Sequence, residues 1–335
     1  MSDFQLPMEL PRTDVALKDM YSANPMARYA AAMSLAIADN SFKDKAVSAL
    51  VVLAGDPLEQ IRSQAVEGFA QWRLQNYDLF SDTEGLTKSL IDKLVKDESP
   101  QVRSAVIGNA GLFFDNPVPV ILGAVADVSP GVRACAADQL DGCDDIAAID
   151  ALKKLLNDND DEVRLRAAIA LGKNADSTAL KMLVDLLLNP GIYFLFVTEA
   201  VRTLALCSED ATREAVYKKA TGLWGSLDIK AMCSAALLKY TPSDSQPVLK
   251  MLESRRRKIR VAVLQALYEL PDSSIAYNVS KIVKNASSDI ECSLALQVLK
   301  SIKMSDCTTG LKYLESVKDT LTGDLLEEWK EIYNS

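Results

Sequence analysis

The fold is decided by the stretch Asp161-Glu162-Val163-Arg164-Leu165-Arg166-Ala167-Ala168-Ile169-Ala170-Leu171-Gly172. Its buried-type residues Val163, Ala167, Ala168 and Leu171 have the spacing of one face of an α-helix. A second stretch with the same periodicity, from Ile146 to Asn157, comes directly before it. Two short amphipathic helices joined by a turn bury their apolar faces against each other, so this segment predicts a helical hairpin.

The hairpin pattern repeats along the chain. An apolar residue followed by Arg, or by a substitute for it, marks the start of each second helix. The second position of this pair falls at 28, 62, 103, 133, 164, 198, 230, 260 and 291, so successive intervals are 30 to 41 residues. At Pro57, Pro100 and Pro130 an Asp or Ser precedes proline, which fits a helix N-cap followed by the first helical position. A period this regular predicts stacked repeats.

These repeats resemble those of the HEAT family, including the HEAT-like repeats of phycobilisome lyases, over about residues 20–310. We therefore expect an all-α fold, a right-handed α-solenoid (α-α superhelix) of about nine HEAT-like helix pairs. The chain would comprise an N-terminal extension (1–19), the repeat solenoid (20–310) and a C-terminal capping helix (311–335).

The resemblance also implies that an Asp in each turn and the Arg of the second helix form a ladder between neighbouring repeats. Asp161 with Arg164, and Asp97 with Arg103, are the expected pairs. The arginines assigned to this structural ladder are Arg28, Arg62, Arg103, Arg133, Arg164 and Arg260.

Composition narrows the possible functions. The net charge is −9, which argues against a general nucleic-acid binder, because phosphate binding needs a surplus of Lys and Arg. The chain has no histidine, which removes Ser-His-Asp and Cys-His catalytic systems and the usual zinc ligand sets. Neither a G-x-x-x-x-G-K nor a G-x-G-x-x-G motif occurs. We predict no catalytic residue, no cofactor and no metal.

The chain has no stretch of the roughly 18 apolar residues that a membrane span needs, and no signal-peptide core at its N-terminus. Six cysteines without a close C-x-x-C pair are interpreted as reduced core thiols. We expect a cytoplasmic protein that does not contact a membrane.

Side chains of the second helices that are not used for burial should form a row along the concave surface that the family resemblance implies. Their mixture of amides and both charge signs suits protein recognition better than a phosphate track. The candidate partner-binding residues in this row are Gln64, Glu67, Gln71, Asp138, Arg166 and Lys173. The row also includes Ala105 and continues through Glu199, Met232, Lys239, Gln265 and Glu269.

Two departures from the repeat add further candidates. In the sixth unit Tyr193, Phe194 and Phe196 replace the polar turn, so they either pack on a neighbouring repeat or form an exposed partner patch. The basic run at Arg255, Arg256 and Arg257 is either a solvated turn or a docking point for a carboxylate- or phosphate-rich ligand. An insertion at 76–85 is a spacer or an edge contact.

The leading functional hypothesis is a scaffold or adaptor that holds a protein segment in the concave groove. A bilin lyase- or isomerase-like enzyme subunit is the first alternative, in which a few Tyr, Trp or Asp side chains would handle a tetrapyrrole. A HEAT-like DNA glycosylase is the second, and the acidic composition makes it the weakest because such an enzyme needs a basic groove.

Overall fold

The computed structural model describes residues 10–75, 86–207, 210–222, 225–240, 242–286 and 288–335. These residues form α-helices, short 3-10 turns and connecting loops, and no β-strand occurs among them. The insertion at 76–85 lies outside the described residues. The chain divides into two compact units, unit 1 up to Ala170 and unit 2 from Leu171 onward.

Unit 1 contains the first eleven helices, the last of which ends two residues beyond the unit boundary. They are α1 (Thr13–Asp19), α2 (Pro25–Ala36), α3 (Lys43–Leu53), α4 (Glu59–Leu74), α5 (Leu86–Leu94), α6 (Pro100–Gly108), α7 (Ala110–Phe113), α8 (Val118–Ala124), α9 (Pro130–Gln139), α10 (Ile146–Leu155) and α11 (Asp161–Gly172).

Unit 2 contains the remaining ten helices of the described residues. They are α12 (Ser177–Leu188), α13 (Val197–Leu204), α14 (Asp210–Thr221), α15 (Leu227–Leu237), α16 (Gln246–Leu252), α17 (Arg257–Glu269), α18 (Ala276–Asn285), α19 (Asp289–Ser305), α20 (Cys307–Val317) and α21 (Gly323–Asn334).

The helix starts follow the chemistry of the sequence. The Asn24 side chain accepts a hydrogen bond from Met26 N at 3.0 Å, and the Ser99 hydroxyl accepts one from Gln101 N at 3.2 Å. Proline occupies the first position of α2, α6 and α9, where it forfeits no intrahelical bond. The predicted start at Asp56-Pro57 is wrong, because α4 begins at Glu59 with Leu58 as its N-cap. Local signals therefore mark the start of some second helices, such as α2 and α6, but not of all.

All nine repeat positions found in the sequence lie within the first four residues of a second helix: α2, α4, α6, α9, α11, α13, α15, α17 or α19. In unit 1, α2 packs on α4, α4 on α6 and α6 on α9. In unit 2, α13 packs on α15, α15 on α17 and α17 on α19. The predicted all-α helical-repeat fold is therefore confirmed.

Small and aliphatic side chains form most of the core, and a few large ones anchor it. Trp72 on α4 is fully buried, and its indole Nε1 donates to the carbonyl oxygen of Leu35 on α2 at 3.0 Å. Near the end of unit 2, Gly310 on α20 lies against the backbone of Lys303 on α19, at a distance that leaves no room for a Cβ atom. No described helix is both long enough and apolar enough to span a bilayer.

Candidate functional site

A ladder of arginines and aspartates joins the repeats of unit 1. The guanidinium of Arg62 on α4 donates from Nε to Asp97 Oδ2 at 2.9 Å and from Nη2 to Asp97 Oδ1 at 2.7 Å. The same two-pronged geometry recurs with nitrogen–oxygen distances of 2.6 to 3.2 Å. The repeated pairs are Arg28 with Asp56, Arg103 with Asp127, and Arg133 with Asp158.

Each arginine also holds the turn of its own repeat. Arg62 Nη1 donates to the carbonyl oxygen of Asp56 at 3.0 Å, and Arg103 Nη1 donates to that of Asp97 at 2.8 Å. Asp97 therefore binds Arg62 through its carboxylate and Arg103 through its carbonyl group. The carboxylate partner of Arg103 is Asp127 and not the expected Asp97.

The other expected pair, Asp161 with Arg164, is a contact within the first turn of α11 and does not join two repeats. Arg164 Nη1 donates to the carbonyl oxygen of Asp158 at 2.5 Å, as the ladder pattern requires. Asp158 supplies the carboxylate for this turn, and its partner is Arg133. The ladder aspartate of this repeat is thus Asp158, six residues before Arg164. The predicted Asp161, three residues before Arg164, is wrong.

The ladder is largely shielded from water. The side chain of Arg62 is 9% exposed and that of Asp97 is 11% exposed. Burial raises the pKa of Asp97, but hydrogen bonds from Arg62 and from a backbone N–H outweigh it and leave the pKa below its usual value. Hydrogen bonds from their arginines likewise lower the pKa values of Asp127 and Asp158.

In unit 2, the carboxylate that binds the ladder arginine comes from a glutamate instead of an aspartate. Arg260 on α17 donates from Nε to Glu291 Oε1 at 2.5 Å and from Nη2 to Oε2 at 2.9 Å. Its Nη1 donates to the carbonyl oxygen of Ser254 at 2.7 Å, again six residues earlier. The turn before α19 carries Asn285 where the ladder acid would be, so Glu291, fully buried at the arginine position of α19, supplies the carboxylate.

Three of the predicted partner-binding residues of unit 1 make contacts between repeats. The carboxylate of Glu67 on α4 accepts from Asn109 Nδ2 at 3.3 Å, and partial burial raises the pKa of Glu67. Arg166 on α11 donates from Nη1 to Asp138 Oδ2 on α9 at 2.8 Å. These pairs lie on the same face as the row expected from the sequence, and their role in binding stays a prediction.

The remaining polar candidates are more open to water. Gln64 is half-buried on α4, and Gln71 and Lys173 are exposed. The basic run precedes and begins α17, where it lies at the positive end of the helix dipole. Its exposed members are Arg255, Arg256 and Arg257.

The aromatic segment of the sixth unit forms a 3-10 turn, Gly191–Phe196, before α13. Tyr193 and Phe196 are half-buried, and their ring centroids lie 6.4 Å apart at an interplanar angle of 54°. Leu195 between them is 75% exposed. The side chain of Phe194 lies outside the described residues. The segment thus combines internal aromatic packing with one exposed aliphatic side chain.

An open groove of about 780 Å³ lies between α17, α19 and α21 in unit 2. Its apolar lining consists of Val261, Ile290, Leu294 and Leu325. An adjoining cavity of about 290 Å³ extends towards α15 and α13 and shares Gln265 and Leu294 with the first. Together they form one surface across successive second helices, named the unit-2 groove here.

Polar side chains with defined positions line part of the unit-2 groove. Glu328 on α21 accepts hydrogen bonds through Oε1 from Ser293 Oγ at 2.8 Å and from Gln297 Nε2 at 2.6 Å, both on α19. These bonds hold α21 beside α19 and fix the direction of the carboxylate. In the described part of the chain, no group of three or more Cys, Asp or Glu side chains is arranged to hold a metal ion.

Two overlapping stretches of the chain, residues 87–164 and 118–205, match the family model described as HEAT repeats. Residues 87–205 contain HEAT repeats. The structure of YibA from Escherichia coli is similar at 19% identity, covering 68% of this chain and 81% of that one with a TM-score of 0.51. Kap121p is similar at 12% identity and a TM-score of 0.49, covering 96% of this chain and 42% of that one. No curated protein sequence matches.

The likeness to YibA supports the HEAT-repeat fold and says nothing about activity. Within that fold, the ladder explains why arginine recurs at the same place in α2, α4, α6 and α9. The four arginines at that place, from Arg28 to Arg133, each tie the turn of their own repeat to the turn of the next repeat.

Of the unit-2 residues that the sequence placed in the row, Met232, Gln265 and Glu269 line the unit-2 groove. Glu199 and Lys239, placed in the same row, are not among its lining residues. Sequence reasoning missed Asp289 on α19 and Asp324 on α21, together with the neighbouring groove residues of these two helices. For α19, counting from position 291 in the same frame as the other repeats would have found Ser293 but not Asp289. The groove residues of α21 were not predicted because the C-terminal segment was interpreted only as a helix that caps the repeats.

Proposed function

We propose that the protein is a scaffold or adaptor of the cytoplasm that binds a segment of another protein along the exposed face of its second helices. The observation that carries the proposal is the unit-2 groove, which crosses several helices and combines apolar side chains with amides and carboxylates. Elongated surfaces of this composition suit an extended peptide, because apolar contacts supply affinity and the polar rim supplies register.

The chemistry of the lining supports a protein partner over a nucleic acid. Carboxylates of Asp289, Asp324 and Glu328 line the larger cavity, and no Lys or Arg is among its lining residues. A polyphosphate backbone would be repelled there, since nucleic-acid binding depends on cationic side chains. The absence of histidine from the sequence also leaves the groove without the common acid–base catalyst.

Site-specific photo-crosslinking tests the proposal. A photoreactive amino acid is placed at Gln265, which is exposed at the junction of the two cavities, and in a matched variant at Glu214, which is exposed on α14 outside the groove. We expect extracts of the native source to yield a protein crosslinked from Gln265 and absent from the Glu214 variant. Mass spectrometry then maps the crosslinked segment. No difference between the two variants would refute a binding role for the groove.

A further inference from the structure

We propose that the occupant of the unit-2 groove is a short extended segment in which lysine or arginine side chains alternate with aliphatic ones. This inference rests on the proposed binding function and specifies its partner by chemistry. The groove combines an apolar lining with a one-sided charge, and these two properties select the same kind of ligand.

The apolar lining is continuous from the smaller cavity to the larger one. Met232 on α15 and Ala266 on α17 line the smaller cavity, and Leu294 on α19 belongs to both. Ile290 on α19 and Leu325 on α21 extend the surface. Ile290 is 69% exposed, so a ligand that covers it removes apolar area from water, which is the main source of affinity in such contacts.

The charge of the lining is entirely negative. Asp228 and Glu269 line the smaller cavity, and Asp289, Asp324 and Glu328 line the larger one. Neither cavity has a Lys or Arg among its lining residues. Glu269 is paired with Arg202, so a cationic ligand meets the attractive potential mainly at the larger cavity, and an acidic ligand is repelled there.

Most of these carboxylates are not neutralised by a neighbouring cation, so their negative charge can attract a ligand. Glu269 is paired with Arg202 at 2.5 Å. Glu328 accepts its hydrogen bonds from neutral groups, so they orient its charge without neutralising it. Among the described residues, Asp289 and Asp324 have no ion-pair partner, and both are exposed. Lysine or arginine side chains of a ligand would be the first cations to reach them.

The spacing of the helices sets the length of the ligand. The groove crosses α15, α17, α19 and α21, and neighbouring members of this series pack on each other. Packed helices lie about 8 to 10 Å apart, so three such steps span about 24 to 30 Å. An extended chain advances about 3.3 Å per residue, which corresponds to a segment of about eight residues.

Alternation follows from the same geometry. Successive side chains of an extended segment point to opposite sides, so one set can enter the apolar lining while the other reaches the carboxylates. A helical ligand of the same length would be about 12 Å long and would cross little more than one helix spacing. The groove therefore fits an extended ligand better than a helical one.

Binding of defined peptides tests this assignment. The probe is a fluorescently labelled peptide of about eight residues, as the helix spacing requires, in which Lys alternates with Leu. Two companion peptides replace every Lys with Glu or every Leu with Ser. Fluorescence anisotropy with the full chain measures the dissociation constants. We expect the Lys-Leu peptide to bind at least about tenfold more tightly than either companion, with affinity falling as salt is added.

Matched variants locate the binding. The groove variant is Asp289→Asn/Asp324→Asn/Glu328→Gln, which keeps an acceptor for Ser293 and Gln297. The control is Asp185→Asn/Glu214→Gln/Asp319→Asn, which changes the net charge equally at exposed residues outside the groove. We expect the groove variant to weaken binding about tenfold or more and the control less than about twofold. Circular dichroism of both variants verifies folding.

Four outcomes would overturn the assignment. Equal weakening by the two variants would mean attraction to net charge alone. Equal binding of the Glu-Leu peptide would remove the charge selection. Self-association of the chain that the groove variant abolishes would place a second copy in the groove. A neutral or acidic segment crosslinked from Gln265 would also overturn the assignment while leaving the scaffold function intact, whereas no crosslinked protein at all would refute the scaffold.

Discussion

The ladder pair Arg62–Asp97 gives the sharpest test of how the repeats of unit 1 hold together. Replacing Asp97 with alanine leaves the guanidinium of Arg62, 9% exposed, with its carbonyl partners and the exposed carboxylate of Glu98 at 3.6 Å. Breaking a buried ion pair from one side costs roughly 3 to 5 kcal/mol, because the remaining charge stays desolvated. This pair lies near the surface, so we expect the lower end, about 3 kcal/mol of unfolding free energy.

A double-mutant cycle separates pairing from other effects. Arg62→Ala should cost about as much as Asp97→Ala, since it also removes two bonds to backbone carbonyls and the packing of the side-chain stem. The double variant should cost far less than the sum, leaving a coupling energy of about 2 kcal/mol. The exposed pair Glu327–Lys330 provides the control, and Glu327→Ala should cost less than about 0.5 kcal/mol.

Urea unfolding followed by far-UV circular dichroism measures the free energies, and amide hydrogen exchange shows where stability is lost. Repeat proteins unfold in parts, so the exchange data carry the local information. We expect faster exchange in α4 and α6. Additive costs in the cycle, or a cost below about 1 kcal/mol for Asp97→Ala, would refute the view that the ladder joins the repeats energetically.

Three further predictions follow from the packing and the electrostatics. Gly310→Ala places a Cβ against the backbone of Lys303, so it should lower stability by more than the roughly 1 kcal/mol of an ordinary overpacking change, measured by thermal melting. Trp72→Phe leaves the carbonyl oxygen of Leu35 without its indole donor in a dry core and should cost about 2 to 3 kcal/mol in urea unfolding; an unchanged midpoint would contradict this. The lowered pKa of Asp127 means that the unfolded chain takes up its proton first as pH falls, so the contribution of the ladder is complete above about pH 4 and is lost below it. Urea midpoints measured from neutral to acidic pH should show this loss, and the Arg103→Ala variant should show less of it.

The position and type of the second helices could be predicted from the sequence because their causes are local. Asn24 and Ser99 cap the helices that they precede, and prolines occupy first positions. The recurrence of an apolar residue before Arg, or before its substitute, reflects the same helix face being buried in the second to sixth repeats, from Ile61 to Val197, whereas Ile290 is 69% exposed. Hydrophobic periodicity reports which face is buried whatever the neighbouring chain segment is.

Only the tertiary structure decided which partners meet. Asp97 lies six residues before Arg103 and 35 residues after Arg62, yet its carboxylate binds Arg62. Sequence proximity favours the wrong partner because the direction of the carboxylate depends on how one second helix packs on the next. The burial of Glu291 at a position where other repeats have arginine also depends on helix packing. Its carboxylate binds Arg260 on α17 in place of the aspartate that this repeat lacks.

The residues that meet in the unit-2 groove could likewise not all be predicted from the sequence. A helical frame counted from position 291 puts Ile290 in the slot that Val102 and Val163 occupy in other repeats, where it would be buried, yet Ile290 is 69% exposed. The meeting of Asp289 and Ile290 with Asp324 and Glu328 requires α21 to lie beside α19, held by the bonds of Ser293 and Gln297. Periodicity determines the faces of a helix, whereas the surface that two helices form together depends on contacts between residues far apart in the chain.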